Sequence, residues 1–258
     1  MRLLVVAADK RELRGILEQA GRKQGLAGGS ACPTGPQVPR ERGGAAQFVC
    51  QPDRLGVDWA RRAKLGEHDL LLVANGAGAA RAAAAVDRAA AVFLPEAIIS
   101  TGFCGALEER LDVGSVVVGT EVNGASGRFD ARTPAASMPY HRGVVLTIDH
   151  VAQTAAEKRS LRQTGASAVE MEAAAVGERS AALGVPFYCI KAVTDLAGED
   201  MANDLNAALR SDGHFDTIGI LGSIFCRPLD RLPELVRLRS RSVRAACALG
   251  DFFADCRF

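Results

Sequence analysis

The sequence predicts an α/β fold, one three-layer α/β/α domain over residues 1–258 with a central, mostly parallel or mixed sheet. Three observations predict it. Short apolar runs with β-branched centres, such as Leu3 to Ala8, read as strands buried on both faces. Segments with apolar residues at helical spacing alternate with those runs along the chain. Finally, 258 residues that are 48% hydrophobic and 24% charged suffice for a substantial core without metals or disulfides.

The elements follow in order. After Leu3 to Ala8, the spacing of Leu13, Ile16, Leu17 and Ala20 predicts a helix that Gly21 can end. Gly28 to Gly44 holds five glycines and three prolines without periodicity and reads as a surface loop. Leu70 to Ala74 is a buried strand that breaks at Asn75-Gly76-Ala77-Gly78 into an alanine-rich helix over 79–92. Ala97 to Ser100 is a third strand, followed by the glycine turn Thr101-Gly102-Phe103-Cys104-Gly105. Val113 to Val118 and Val144 to Ile148 read as strands, with an irregular loop from Gly124 to Tyr140 between them. Helix 151–164, strand 166–169, helix 171–183 and strand 187–193 complete the alternation. From about residue 198 the chain reads as a helical extension.

Composition excludes several classes. The 31 Lys and Arg against 30 Asp and Glu give a net charge of +1, too small a field to hold nucleic acid. The seven cysteines, at 32, 50, 104, 189, 226, 247 and 256, form no CxxC pair and are odd in number. That argues against a disulfide framework and a zinc site, and for a reducing cytosol. The histidines at 68, 141, 150 and 214 lack ligand spacing, so no metal is expected. The apolar start is too short for a signal-peptide core, and no run reaches about 18 apolar residues. A cytoplasmic protein is expected.

Ligands of open α/β sheets bind outside the carboxyl ends of the strands. Four such places carry unusual residues. Glu12 falls one turn into the helix after the first strand, where a solvated helix-start charge is the bland alternative. Asn75, Gly76, Ala77 and Gly78 let backbone N–H groups approach a ligand, or merely let helix pack on strand. A dinucleotide fingerprint is weak here, because Arg81 stands where a small residue belongs. Glu170 and Glu172, flanking Met171, sit where a strand gives way to a helix. Glu170 continues an apolar strand, and a buried carboxylate is costly without a partner. Lys191, Thr194 and Asp195 end the last strand, where Thr194 and Asp195 are also plausible helix caps.

Together these residues resemble the nucleoside phosphorylase/hydrolase superfamily, most of all its methylthioadenosine/S-adenosylhomocysteine nucleosidase branch, over about residues 1–197. The most specific match is Val169-Glu170-Met171-Glu172-Ala173-Ala174-Ala175. Val193-Thr194-Asp195, the Ser100 to Gly105 segment, Gly76-Ala77-Gly78 and Glu12 follow in the family's order. The resemblance implies a nucleoside phosphorylase-like fold and cleavage of a purine N-glycosidic bond through an oxocarbenium-like ribosyl transition state. Asp195 would protonate the departing base and would be kept protonated by burial. Glu12 would activate water on the opposite face of the sugar. Glu172 would accept from the ribose hydroxyls, Met171 would pack on the sugar, and the purine edge would meet the backbone at Val151.

The chain departs from the family at Phe103, at Asn75 and at Lys191, which replaces an arginine that helps poise the site. Phosphorylases of this superfamily place one arginine after the first strand and another before the glycine turn. Ala8-Asp9-Lys10 and Ser100 stand there instead, with Arg11, Arg14 and Arg81 the only candidate substitutes. Hydrolysis of an adenosine-type nucleoside modified at its 5′ position is therefore expected ahead of phosphorolysis. No cofactor is expected, and phosphate is the one co-substrate to consider.

Residues 198–258 resemble the longer tails of hopanoid-associated phosphorylases, which act on an adenosylated lipid. From Arg227 to Phe258 seven arginines meet four acids, and a helix over about Leu232 to Phe253 has a broad apolar side. That side either packs on its own domain or meets anionic lipid at a membrane surface. The family also implies a homodimer or higher homo-oligomer, with Gly124 to Tyr140 reaching a neighbour's 5′ pocket. A non-catalytic nucleoside-binding module is the reading from another class.

Overall fold

The computed structural model describes residues 1–23, 55–215 and 228–258. The expected loop from Gly28 to Gly44 lies outside these residues. In chain order the elements are β1 (Arg2–Ala7), α1 (Arg14–Lys23), β2 (Trp59–Leu65), β3 (His68–Ala74), α2 (Ala79–Phe93), β4 (Ala97–Ala106), β5 (Val116–Gly124) and β6 (Gly127–Asp130). They continue with β7 (His141–Thr147), α3 (Ala155–Arg162), β8 (Ala166–Glu170), α4 (Ala173–Leu183), β9 (Phe187–Asp195), α5 (Leu205–Ala208) and α6 (Pro228–Asp255).

Among the described residues, nine strands join one sheet in the order β2-β3-β1-β4-β8-β7-β5-β6, with β9 paired to both β4 and β5. β1 is parallel to β3 and β4, while β2 is an antiparallel edge strand. β4, β9, β5, β7 and β8 each pair with the next, and β8 returns to β4 through Gly105 and Ala106. The mixed half of the sheet thus closes on itself, and this closure carries the end of β8 round to the ends of β1, β4 and β9.

The strand period of two divides β1 between two cores. Leu4 and Val6 join Val86, Ala89, Phe93 and Val176 of α2 and α4. Leu3, Val5 and Ala7 join Leu13, Ile16, Leu249, Phe252 and Phe253 on the α1 and α6 side. This is the α/β/α layering that the alternation predicts.

Several boundaries correct the sequence reading. Thr101 to Gly105 is strand and not turn, since β4 runs on to Ala106. β5 starts three residues late and extends to Gly124, and the expected irregular loop contains β6. β2, with Arg61, Arg62 and Lys64 interrupting its apolar residues on an edge, escapes a search for continuous apolar runs. Glu12 lies in a turn ahead of α1 rather than inside the helix.

The apolar side of α6 is buried over Ala245, Ala246, Leu249, Phe252 and Phe253, while Val236 and Val243 stay exposed. α6 crosses α1 backbone to backbone: a Cβ on Gly250 would lie 2.4 Å from a Gly15 carbon. Cys104, Cys189 and Cys256 are buried free thiols. Cys247 is disulfide-bonded, a bond that the cysteine spacing does not reveal, because linear spacing does not report which sulfurs approach. No helix among the described residues is long and apolar enough to cross a membrane.

Candidate active site

Two glycines of β4 make room for two carboxylates. A Cβ on Gly102 would lie 2.7 Å from Glu12 Oε2, and one on Gly105 would lie 2.7 Å from Asp195 Oδ2. Gly102 also has a φ of +123°, so a side chain there would be strained as well as crowded. The glycines that read as a turn are therefore seats within a strand.

Glu12 is 8% exposed and held by backbone alone. Its Oε2 accepts from Ala8 N at 2.9 Å and Asp9 N at 3.2 Å, and its Oε1 from Phe103 N at 3.1 Å. Burial pushes its carboxyl above the ordinary value of 4.5, against the lowering effect of Lys191 and the N–H donors. The carboxyl is thus buried and fixed in direction by three N–H donors.

At the end of β8 the two glutamates part company. Glu170 turns inward, where Lys191 Nζ lies 2.8 Å from its Oε2 and also donates to Thr101 O at 3.1 Å. Its oxygens accept from Thr147 Oγ1 and from the N–H groups of Glu172 and Ala173 at the start of α4. Desolvation opposes its charge, yet Lys191 and these donors lower its pKa and keep it ionised. The partner demanded by a buried strand carboxylate is thus Lys191, itself held protonated by Glu170 and Glu172 despite burial.

Glu172 faces the other way and accepts from Gly78 N at 2.9 Å. Burial, then the charge of Glu170, raise its pKa to about 8, with Glu12 adding to the rise. Glu12 and Glu172 are thus near enough for their negative charges to oppose each other. Met171 and Phe103 are half-buried, and Phe103 is the residue whose N–H reaches Glu12.

Asp195 stands at the end of β9. Its Oδ2 lies 2.8 Å from the ammonium of Lys158, and its Oδ1 accepts from Thr194 Oγ1 at 3.1 Å. A buried lysine from α3 thus reaches this carboxyl, a partner that the sequence reading did not include. Neither Asp195 nor Thr194 caps a helix, since an irregular segment follows β9.

The glycine loop has no free donors. Gly76 N donates to Ala8 O, Ala77 N to Gly213 O and Gly78 N to Glu172 Oε1. Asn75 is buried and donates to Arg81 O at 2.9 Å. Arg81 lies against Asn75 O and Asp58, Arg11 against Asp9, and Arg14 against Glu18.

Val151 is also engaged. Its N–H donates to Asn206 Oδ1 at 2.8 Å and its carbonyl accepts from Asn206 Nδ2 at 2.9 Å. Sequence reasoning missed Lys158, Thr147 and Asn206. Lys158 lies in Ala155–Arg162, a helix dense in charges where only the spacing to Leu161 sets it apart. Among the described residues, no group of three or more His, Cys, Asp or Glu could hold a metal ion.

Buried carboxylates gathered at the strand ends of an α/β sheet define a small-molecule site of the α/β enzyme class. Within that class the chain belongs to the phosphorylase superfamily, whose model matches residues 60–214. It is similar to the 5′-methylthioadenosine/S-adenosylhomocysteine nucleosidase of Bacillus thuringiensis subsp. konkukian, 27% identical over 169 residues, 54% of this chain and 73% of the relative. The fold is similar to that of the Campylobacter jejuni nucleosidase of the same name, with a TM-score of 0.62 at 16% identity over 98% of this chain and 97% of the other. Futalosine hydrolase of Helicobacter pylori matches with a TM-score of 0.62 at 13% identity, over 98% and 95% of the two chains.

Proposed function

We propose that the protein is a nucleosidase that hydrolyses the purine–ribose bond of an adenosine-type nucleoside modified at its 5′ position, releasing adenine. The observation that carries this reading is the convergence of Glu12, Glu172 and Asp195 on one end of the sheet, two of them seated by the glycines of β4. Asp195 gives a proton to the departing base, whose C–N bond breaks with its electron pair. Water, deprotonated by Glu12, adds its oxygen to the anomeric carbon. Glu172 accepts from the ribose hydroxyls, and positive charge developing on the sugar favours its carboxylate form. Met171 and Phe103 pack against the sugar. Lys191, locked on Glu170, fixes the turn from which Glu172 projects. The chemistry is general acid–base catalysis and asks for no cofactor.

Water is favoured over phosphate as the nucleophile. A dianion needs charge-assisted donors, yet Gly76, Ala77 and Gly78 already spend their N–H groups inside the protein. Ser100 is fully buried, and Arg11, Arg14 and Arg81 have carboxylate or carbonyl partners. Turnover in phosphate-free buffer should equal turnover with phosphate, and the sugar product should be free. A saturable rise in rate with phosphate, yielding a sugar 1-phosphate, would instead establish phosphorolysis, the activity that the hopanoid-like tail suggests for an adenosylated lipid.

For the purine to be read by the Val151 backbone, Asn206 has to turn away, since its carboxamide fills both hydrogen-bonding positions. We place the enzyme in the cytoplasm as a homo-oligomer, with Gly124 to Tyr140 beside a neighbour's 5′ pocket.

A further inference from the structure

We propose that Lys158 is a positioning residue for the acid: its buried ammonium holds Asp195 by Oδ2 and leaves Oδ1 as the one oxygen able to carry a proton to the base. This rests on the reading of Asp195 as the general acid. Lys158 is 0% exposed, a costly place for a charge unless every donor is used. Its Nζ lies 2.8 Å from Asp195 Oδ2, 2.8 Å from Leu196 O and 3.5 Å from Glu199 O, one acceptor for each of its three protons. Two of these acceptors belong to the backbone just beyond Asp195, so one ammonium fixes both the carboxyl and the segment that leaves it. Glu199 is in turn paired with Arg241 of α6.

The two oxygens of Asp195 are consequently unequal. Oδ2 lies between Lys158 and Gly105, where even a Cβ would come within 2.7 Å, and has no room for a ligand. Oδ1 has a partner able to yield: Thr194 Oγ1 reaches Oδ1 at 3.1 Å and Cys104 O at 3.5 Å. A hydroxyl has a single proton, so Thr194 can donate to Cys104 O whenever Oδ1 carries a proton of its own. During cleavage that proton passes from Oδ1 to a purine nitrogen and the negative charge returns to Asp195. Lys158 is already in place to receive that charge, which is electrostatic preorganisation without a chemical step of its own.

The test compares an adenosine-type nucleoside with a 4-nitrophenyl riboside, whose nitrophenolate leaves without a proton. Lys158→Gln, which keeps a donor but loses the charge, should lower kcat on the nucleoside about 10²-fold with KM little changed. The nitrophenyl riboside should stay within a few-fold of wild type, and Lys158→Arg should restore most of the nucleoside rate. Equal losses on both substrates, or no loss on the nucleoside, would overturn the proposal. Asp195→Asn separates the two readings: if it too lacks leaving-group selectivity, the assignment of the acid fails, and not merely that of its partner. Should Lys158→Gln alone fail to fold, the pair Lys158→Gln/Asp195→Asn removes both buried charges. A rate equal to that of Asp195→Asn supports action through Asp195, and a further tenfold loss refutes it.

Discussion

Glu172 sits where its charge is least welcome. Its pKa is raised to about 8, by burial first and then by the charge of Glu170, from an ordinary value of 4.5. Below pH 4.5 the folded and unfolded chains both hold this proton, and the group costs nothing. Between 4.5 and about 8 the unfolded chain releases it while the folded chain retains it, so stability falls as pH rises across that window. Glu172→Gln should therefore melt higher than wild type at pH 8, by an amount worth on the order of 1–3 kcal/mol, with the gain fading towards pH 4.5. A gain independent of pH would show that the charge is not its source. The same variant should lose activity, as stabilising changes at functional sites commonly do. Gly102→Ala makes the complementary case. Its Cβ would collide with Glu12 Oε2, so turnover should collapse even though the substitution is the smallest possible. Wild-type turnover in that variant would mean that Glu12 is not held against β4.

At the level of elements, what was legible depended on how far the reason for a residue lay from it in sequence. Glu12, Glu172 and Asp195 are legible as strand-end residues because each closes or follows an apolar strand run in the sequence. β4 was misjudged because Gly102 and Gly105 look like turn residues, and the carboxylates that need their small size come from β1's end and from β9. Lys158 was missed for the same reason, since its acceptors are supplied by the segment after β9. The docking of α6 is likewise non-local. A patch of arginines and apolar residues suits a lipid surface or a partner helix equally, and Gly15 against Gly250 makes the crossing with α1 possible. Gly250→Ala should push α6 off α1 at a cost of about 1–3 kcal/mol. Hydrogen exchange should then quicken in α1 and α6 while β1 and β3 keep their protection; unchanged exchange would mean that the crossing tolerates a methyl group.

Over the whole molecule, the closure of β4, β9, β5, β7 and β8 brings Asp195 and Glu12, the proposed acid and base, to opposite ends of one short stretch of strand. A bulge between Cys104 and Gly105 in the pairing of β4 with β9 re-aims Gly105, so both glycines face carboxylates. Three strand residues span about 10 Å, at roughly 3.3 Å each. Inverting glycosidases keep their two carboxyls far enough apart for a water molecule behind the sugar, and seats three residues apart on β4 suit that arrangement. The spacing therefore governs handedness at the reacting carbon. A β-nucleoside should release its sugar first as the α-anomer, which then equilibrates in solution. Proton NMR of the earliest product, taken before that equilibration, would read the separation of Glu12 and Asp195 directly, and a β-anomer at first appearance would mean that a covalent sugar–enzyme bond had formed.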